Sequence, residues 1–141
     1  MNKQLWQDTF SVDFQLLAIS SALPDFQMAW HINEHTHFSL KRAKDHIIEL
    51  KKGHILKTSC FQHKTDNISI KLLKNKLHES EAQQAFLIPE MKNIDYFLLI
   101  RDETEELEIL NVKSTLSKIK NVILIQILDA NRLKSVVNLM T

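Results

Sequence analysis

Glycine is almost absent from this chain: Gly53 is the only one among 141 residues. Phosphate-binding loops, dinucleotide-binding turns and nucleophile elbows need glycine where the backbone approaches a ligand or adopts a positive φ. None of these sites can be built here in its usual form, which excludes several large enzyme classes. Because proline is also scarce, with two residues, the turns must rely on Asn, Asp, Ser and Lys.

Cysteine and long apolar segments are scarce as well. Cys60 is the only cysteine, which excludes an internal disulfide framework and favours a reducing cytoplasm. No stretch approaches the ~18 uninterrupted apolar residues of a membrane span, and residues 1–8 lack the apolar core of a signal peptide. The sequence therefore predicts a cytoplasmic protein that does not enter the membrane.

The composition that remains is typical of one globular domain. The chain is 44% hydrophobic and 25% charged, which are ordinary values for a folded chain long enough to bury a core. It contains no internal repeat and no low-complexity segment. We therefore predict a single domain over residues 1–141.

The net charge of +1 is unevenly distributed. Residues 41–78 hold ten basic and three acidic residues, a net charge of +7, whereas residues 1–40 and 79–141 each carry −3. A basic middle segment can bind polyanions, or its lysines can simply keep a hairpin solvated. Solvation is favoured, because Phe61 is the only aromatic residue there and single-stranded nucleic acids need stacking platforms. Weak nucleic-acid binding by this region stays an unfavoured alternative.

Hydrophobic periodicity predicts alternating strands and helices. Strands are predicted over residues 13–20, 38–42, 55–61, 68–73, 94–101 and 122–128. Helices are predicted over residues 25–35 and 102–121, with shorter ones at 80–84 and after 129. Residues 45–52 fit either a strand or one helical turn. Strands 94–101 and 122–128 are apolar on both faces, which predicts interior strands, and their helical connection predicts that they are parallel neighbours.

The helices show which of their sides should be buried. In the first helix, Met28, Ala29 and Ile32 form an apolar arc, which Phe26 and Trp30 extend. The predicted inner side of the second long helix comprises Leu107, Ile109, Leu110, Val112, Leu116 and Ile119. We predict an α+β fold with a single mixed β-sheet of about six strands and two to three helices. The preferred topology is ferredoxin-like with an inserted hairpin.

A short motif precedes and enters the strand at 94–101. Ile88-Pro89-Glu90, three residues, and then Ile94-Asp95-Tyr96 resemble the signature of the IPExxxVDY family of small bacterial proteins, with Ile94 in place of Val. Residues 25–33, and Leu40-Lys41-Arg42 followed by Asp45, are similar to family segments too, so that the resemblance covers residues 10–139. It implies an intact family fold and carries no expectation of a particular reaction.

Five residues are candidates for binding: Trp30, Asn33, Arg42, Glu90 and Asp95. The two acids lie five residues apart across a turn and could divide acid and base roles, but capping of backbone amides is the favoured interpretation. Asn33 fits a helix cap and Trp30 fits a core or an interface. Arg42 could form an ion pair with Asp45 or, across the fold, with Glu90, and the sequence does not decide this.

Histidine and cysteine are the two other residue types that could carry chemistry. His31 and His35 share a helix face, and Glu34 or His37 could complete a metal site. Histidines on a polar arc are more often solvated, so we predict no metal and retain His31 and His35 only as weak candidates. Cys60 is expected to be a buried structural thiol. No cofactor is predicted.

The favoured function is a non-catalytic protein-interaction or adaptor domain that forms a homodimer. An apolar strand at 122–128 and the isolated Trp6 indicate an interface. One alternative is a regulatory domain that binds a small molecule at a dimer interface. Another is a hydrolase or isomerase that uses Glu90, Asp95 and a histidine.

Overall fold

A computed structural model describes residues 12–49, 53, 55–77 and 85–140. The strands are β1 Gln15–Ser21, β2 Lys41–Arg42, β3 His46–Glu49, β4 Ile55–Thr58, β5 Cys60–Lys64, β6 Ile68–Lys74, β7 Tyr96–Asp102 and β8 Val122–Leu128. The helices are α1 Asp25–His35 and α2 Ile109–Leu116, with 3₁₀ turns at Pro89–Met91, Ala130–Arg132 and Val136–Leu139. Trp6 and the short helix predicted at 80–84 lie outside the described residues.

Six strands form one sheet in the order β2-β5-β6-β7-β1-β8, and β3 pairs with β4 in a separate two-stranded sheet. The prediction of an α+β fold is confirmed. Every strand pair is antiparallel, so the main sheet is antiparallel and not mixed. The succession β1-α1-β6-β7-α2-β8, with β6-β7-β1-β8 as spatial neighbours, follows the split β-α-β plan of ferredoxin-like folds. Strands β2 to β5 are inserted between α1 and β6.

The prediction that β7 and β8 are parallel neighbours is wrong. Strand β1 lies between them and pairs antiparallel with both, so β7 and β8 are not neighbours. Strand β8 is an edge strand rather than an interior one. An apolar strand sequence is compatible with burial or with an uncovered edge, and the strand order decides between them.

Strand β7 is an interior strand, as predicted. Its alternating side chains reach two different cores on the two faces of the sheet. The helix-side core includes Leu17, Ile19, Met28, Ile32, Ile70, Leu72, Tyr96, Leu98, Ile100, Val112, Leu116 and Ile125. The loop-side core includes Phe14, Leu16, Ala18, Ile48, Leu73, Leu87, Ile88, Ile94, Phe97, Leu99 and Leu139. The sheet is therefore covered on both sides, by the helices on one and by loops and β3 on the other.

Helix α1 buries the predicted arc of Met28, Ala29 and Ile32 against the sheet. It ends at Thr36, whose amide and hydroxyl both donate to the Ile32 carbonyl, at 3.0 and 2.7 Å. The predicted extension of this arc is wrong, because Phe26 and Trp30 are 61% and 57% exposed. At 100° per residue, these two positions lie on the far side of the helix from the arc's centre.

Helix α2 is shorter than the segment predicted for it. The Asp102 carboxylate accepts hydrogen bonds from the amides of Thr104 and Leu107, at 2.9 and 2.7 Å, and holds the acidic run in a turn before the helix. The inner side predicted for this helix is correct for Val112, Leu116 and Ile119, which are buried. It is wrong for Leu110, which is 67% exposed.

The inserted strands differ from the prediction in length. The strand predicted at 55–61 divides at Ser59, because β4 pairs with β3 while β5 joins the main sheet. The strand predicted at 38–42 is reduced to the two residues of β2. Within the ambiguous stretch at 45–52, the described residues His46–Glu49 form strand β3.

Candidate functional site

The segment that carries the family resemblance forms a loop, residues 88–96, which we call the signature loop. Ile88 and Ile94 are buried in the loop-side core, and Tyr96 begins β7. Pro89 opens a 3₁₀ turn, a position where its fixed φ fits and its missing amide hydrogen costs nothing. The loop is thus anchored at both ends by apolar side chains and turned between them by proline.

A buried asparagine holds this loop against the sheet. The Asn75 side-chain amide donates to the carbonyls of Met91 and Ile94, at 2.9 and 2.8 Å. Its side-chain oxygen accepts the Ile88 amide at 2.9 Å, and the residue is completely buried. The position of Asn75 in the sequence does not distinguish it, because an asparagine after a strand normally indicates an exposed turn. Only its distant partners distinguish it.

Asp95 connects the signature loop to β1. Its Oδ2 accepts the Ser21 amide at 2.7 Å, and its own amide donates to the Ile19 carbonyl at 2.9 Å. The neighbouring Tyr96 hydroxyl donates to the Leu23 carbonyl. Burial, with the negative charges of Asp25 and Asp95, raises the pKa of Tyr96 far above its usual value. The carboxylate of Asp95 therefore caps a backbone amide at the end of strand β1.

Glu90 accepts a hydrogen bond from a different segment of the chain. Its Oε2 accepts the Ser135 amide at 2.8 Å, which ties the signature loop to the chain before the last 3₁₀ turn. Partial burial acts to raise the pKa of Glu90, but hydrogen bonds from its own amide and from Ser135 and Lys134 outweigh it and lower the pKa. A lowered pKa keeps Glu90 ionised, whereas a general acid needs a raised one.

The remaining candidate residues lie elsewhere. The Asn33 side chain accepts the Leu40 amide and donates to the Leu40 carbonyl, at 2.7 and 3.0 Å, and so closes the loop after α1. Arg42, on the far edge strand β2, pairs with Asp45 at 2.5 Å rather than with Glu90. Trp30 is exposed on α1. The structure thus brings Glu90 and Asp95 into one loop and places the other three away from it.

The two histidines on α1, His31 and His35, contact each other. Nδ1 of His35 lies 2.8 Å from the His31 carbonyl, and the two rings are tilted with centroids 6.4 Å apart. Within the residues that the structure describes, no group of three or more His, Cys, Asp or Glu side chains is arranged to hold a metal ion. A groove of about 480 Å³ does lie between the end of α1 and the start of α2, and His35 and His37 line it with Phe38 and Leu107.

A second groove lies between the signature loop and the edge strand β8. Its volume is about 430 Å³, and its walls combine the loop with two side chains of β8. The lining residues are Ser20, Pro89, Glu90, Met91, Lys92, Asn93, Ile94, Leu124 and Gln126. The family-like residues therefore share one surface with β8, an edge strand of the sheet that the described residues form.

Strand β8 presents apolar side chains to solvent. Ile123, Leu124 and Ile127 are 81%, 47% and 38% exposed, whereas Ile125 is buried in the helix-side core. None of the seven residues of β8 is charged. At the opposite edge of the sheet, β2 has only two residues, Lys41 and Arg42, both charged. Of the two edges that the described residues give the sheet, one resists pairing and the other does not.

A buried histidine links the inserted hairpin to the C-terminal segment. His46 Nε2 donates to the Asn138 carbonyl at 2.5 Å, and the Asn138 side chain donates to the Leu87 carbonyl at 2.9 Å. Burial lowers the pKa of His46, and the charge of Lys71 adds to this, against the opposing effect of the hydrogen bond to Asn138. His46 is therefore held in its neutral form in the folded protein.

We expect the free energy of unfolding to decrease as the pH falls below 6.5, the ordinary pKa of His46. Below that value the unfolded chain binds a proton at His46 before the folded chain does, so that acid favours unfolding until the lowered folded pKa is passed. His46→Gln should weaken this dependence, and the exposed His37→Gln should retain it. Urea unfolding at pH 7.5 and 5.5 measures the difference. The assignment would be contradicted if the free energy of unfolding of His46→Gln fell between pH 7.5 and 5.5 by as much as that of the wild type.

Comparisons with known proteins do not identify a family for this chain. No family model matches the chain, and no curated protein and no solved structure is significantly similar to it. The resemblance to the IPExxxVDY family accordingly stays a prediction. Among the described residues, no helix is long and apolar enough to cross a membrane.

Proposed function

We propose that this protein is a non-catalytic, cytoplasmic interaction domain of the bacterial IPExxxVDY family, and that it binds another polypeptide through the free edge of β8. The observation that carries the proposal is the exposure of Ile123, Leu124 and Ile127 on an uncharged edge strand. Such a strand offers an apolar surface together with backbone groups that are ready to pair.

Strand addition is the mode of binding that this surface supports. Alternate residues of an edge strand direct their N–H and C=O groups away from the sheet, where a strand from another chain can satisfy them. The exposed side chains of β8 then supply apolar contacts on both faces of the added strand. A homodimer, in which both copies use the same edge, is the simplest assembly of this kind.

The contacts of the two candidate acids support a non-catalytic role. Asp95 and Glu90 each accept a backbone amide of a distant segment, Ser21 and Ser135 respectively. These contacts shape the signature loop and place it beside β8. The loop therefore contributes to the interaction surface through its position along the groove with Leu124 and Gln126.

Ile123→Lys is expected to weaken the complex by at least ~10-fold in dissociation constant, because a charge would have to be buried in the apolar contact. Ile123 is 81% exposed, so the free energy of unfolding should change by less than about 0.5 kcal/mol. Native mass spectrometry of the purified protein and of its complexes captured from cell extract measures the loss, whether the partner is a second copy or another protein.

Val137→Lys is the matched control, because Val137 is 64% exposed but belongs to the last 3₁₀ turn and not to β8. It should bind as the wild type does. Complexes that persist in Ile123→Lys, or that both variants lose equally, would place the interface elsewhere. A wild-type chain that stays monomeric and captures no polypeptide would refute the proposed function.

A further inference from the structure

We propose that the groove between the end of α1 and the start of α2 binds a polypeptide segment in which arginine or lysine alternates with large apolar residues. This interhelix groove has a volume of about 480 Å³, which is within the range of ligand sites in proteins. None of the described residues that line it belongs to β8 or to the signature loop. It is therefore a second binding surface, separate from the one proposed for β8.

The floor of the interhelix groove is apolar. It is formed by Phe38 from the segment after α1, by Leu107 from the turn before α2, and by Val112 of α2. Val112 belongs to the helix-side core, and Phe38 and Leu107 are half-buried and pack against that core. An apolar side chain of a ligand can therefore leave water in this groove without displacing a residue of the core.

The rim of the groove is acidic. Glu34 on α1 and Glu106 and Glu108 before α2 line it, and all three are exposed. Among the described lining residues none is lysine or arginine, so that the carboxylates are not neutralised within the groove. A cation next to the apolar floor is attracted by all three carboxylates, whereas an anion is repelled by them. The occupant is therefore basic as well as apolar.

The helix ends at the groove do not change the sign of its charge. The end of α1 contributes a partial negative charge and the start of α2 a partial positive one, each about half an elementary charge. These two contributions offset each other. The three carboxylates therefore determine the electrostatic potential of the groove.

Hydrogen bonds fix both walls of the groove in the free protein. The Thr36 hydroxyl donates to the Ile32 carbonyl at 2.7 Å and accepts the Phe38 amide at 3.0 Å. This holds the turn after α1 that brings Phe38 to the floor. On the other wall, the Asp102 carboxylate accepts the Leu107 amide at 2.7 Å. A groove that exists before binding avoids the free-energy cost of ordering its walls.

The surface next to the groove favours a chain over a small molecule. Phe26, Trp30 and Glu34 are spaced four residues apart on α1, so they lie along one side of the helix. Phe26 and Trp30 are exposed, and Glu34 connects them to the groove. Phe26 and Glu34 are separated by about 12 Å along the helix axis. An extended segment of about four residues spans this distance, whereas a small molecule that fills the groove does not reach both rings.

The alternation of basic and apolar residues follows from the geometry of an extended segment. Successive side chains of such a segment point to opposite sides. The apolar set faces the floor of the groove and the exposed rings of Phe26 and Trp30. The basic side chains are long enough to bend back to the carboxylates of the rim, and a guanidinium is also attracted to the face of the Trp30 ring.

A labelled hexapeptide of alternating leucine and arginine tests the proposal by fluorescence anisotropy. It should bind the wild type saturably, with a dissociation constant below about 1 mM. Hexapeptides of alternating leucine and glutamate, or of alternating serine and arginine, should bind at least ~10-fold more weakly. The rim repels the first, and the second leaves the floor uncovered. n-Butylguanidine, which represents one basic side chain, should compete at least ~10-fold more weakly than the unlabelled hexapeptide.

Glu106→Lys should weaken binding of the leucine–arginine hexapeptide about 5-fold, because it replaces an attraction at the rim with a repulsion. Glu103→Lys is the matched control. Glu103 is exposed in the same acidic run and undergoes the same change of charge, but it does not line the groove. Its effect on the dissociation constant should stay within about 2-fold.

Asn111→Trp should weaken binding at least ~10-fold, because the exposed Asn111 lines the groove and an indole ring at this position covers the floor. Leu110→Trp is the control, since Leu110 is the exposed neighbour on α2 that does not line the groove. It should bind as the wild type does. Trp30→Ala should weaken binding about 3-fold through the lost contact on α1.

The inference would be overturned if the leucine–arginine hexapeptide did not bind, or if each variant and its control lost binding equally. Competition by n-butylguanidine as strong as that of the hexapeptide would assign the groove to small cations instead. Ile123→Lys should retain binding of the hexapeptide, because Ile123 does not line this groove. Loss of binding in that variant would place the peptide on β8, which would overturn this inference and leave the proposed function standing.

Discussion

Asn75→Leu is expected to lower the free energy of unfolding by about 2 kcal/mol. The substitution would leave the buried Ile88 amide and Ile94 carbonyl without their partner. The Met91 carbonyl would lose the Asn75 side chain but keep the Ile94 amide, at 3.1 Å. Each unpaired group costs roughly 1–3 kcal/mol. Burial of the leucine side chain returns about 2 kcal/mol, which is less than the sum of the two losses.

The backbone of Asn75 adds to the effect of its side chain. Its amide donates to the Asp95 carbonyl at 2.8 Å, and its carbonyl accepts the Leu87 amide at 2.6 Å. One residue therefore binds both ends of the signature loop. If the leucine displaces this loop, the groove with Leu124 and Gln126 should change as well, so that loss of stability and altered association are expected together.

Urea denaturation tests this prediction. The midpoint should move to a lower urea concentration, and the dependence of the free energy of unfolding on urea concentration should not change. Asn93→Leu is the matched control, because Asn93 lies in the same loop but its side chain is exposed, and its effect should stay within about 0.5 kcal/mol. A loss below about 1 kcal/mol for Asn75→Leu would show that water or a rearranged loop satisfies these groups.

Phe97→Ala is expected to cost about 4 kcal/mol. Phe97 is completely buried in the loop-side core, and truncation of a buried phenylalanine typically costs 3–5 kcal/mol through lost burial and a residual cavity. The ring points to the face of the sheet that carries no helix. The size of the effect therefore reports how well the signature loop, the β3–β4 hairpin and the C-terminal segment cover that face.

Phe26→Ala is the control with the same chemistry, because Phe26 is 61% exposed on α1. It should change the free energy of unfolding by less than about 0.5 kcal/mol. Thermal or urea unfolding of the two variants, measured beside the wild type, gives the comparison. Similar losses for the two would mean either that the loop-side core is open or that Phe26 packs against a second chain.

The parts of the fold that were predictable rest on local alternation. Strand β7 could be assigned to the interior because Phe97 and Leu99 are as apolar as Leu98 and Ile100, so neither face suits water. The buried arc of Met28, Ala29 and Ile32 follows from the helical period in the same way. These patterns involve residues a few positions apart and need no knowledge of the rest of the chain.

The candidate site was predictable only in part. The motif around Pro89 and Asp95 indicated the loop, and amide capping by the acids was the favoured role. Asn75 was missed because its partners Met91 and Ile94 lie 16 and 19 residues along the chain. The pairing of Arg42 with Asp45 rather than Glu90 likewise depended on where β2 lies in the sheet.

Composition and periodicity were sufficient to predict the α+β class, the central strand β7 and the buried side of α1, because each depends on neighbouring residues. They could not distinguish β8 from an interior strand, since Val122–Leu128 is as apolar as a buried strand. Its place at the edge follows from β1, more than a hundred residues earlier, which lies between β7 and β8. Strand order and buried polar contacts join distant parts of the chain, and only the assembled sheet defines them.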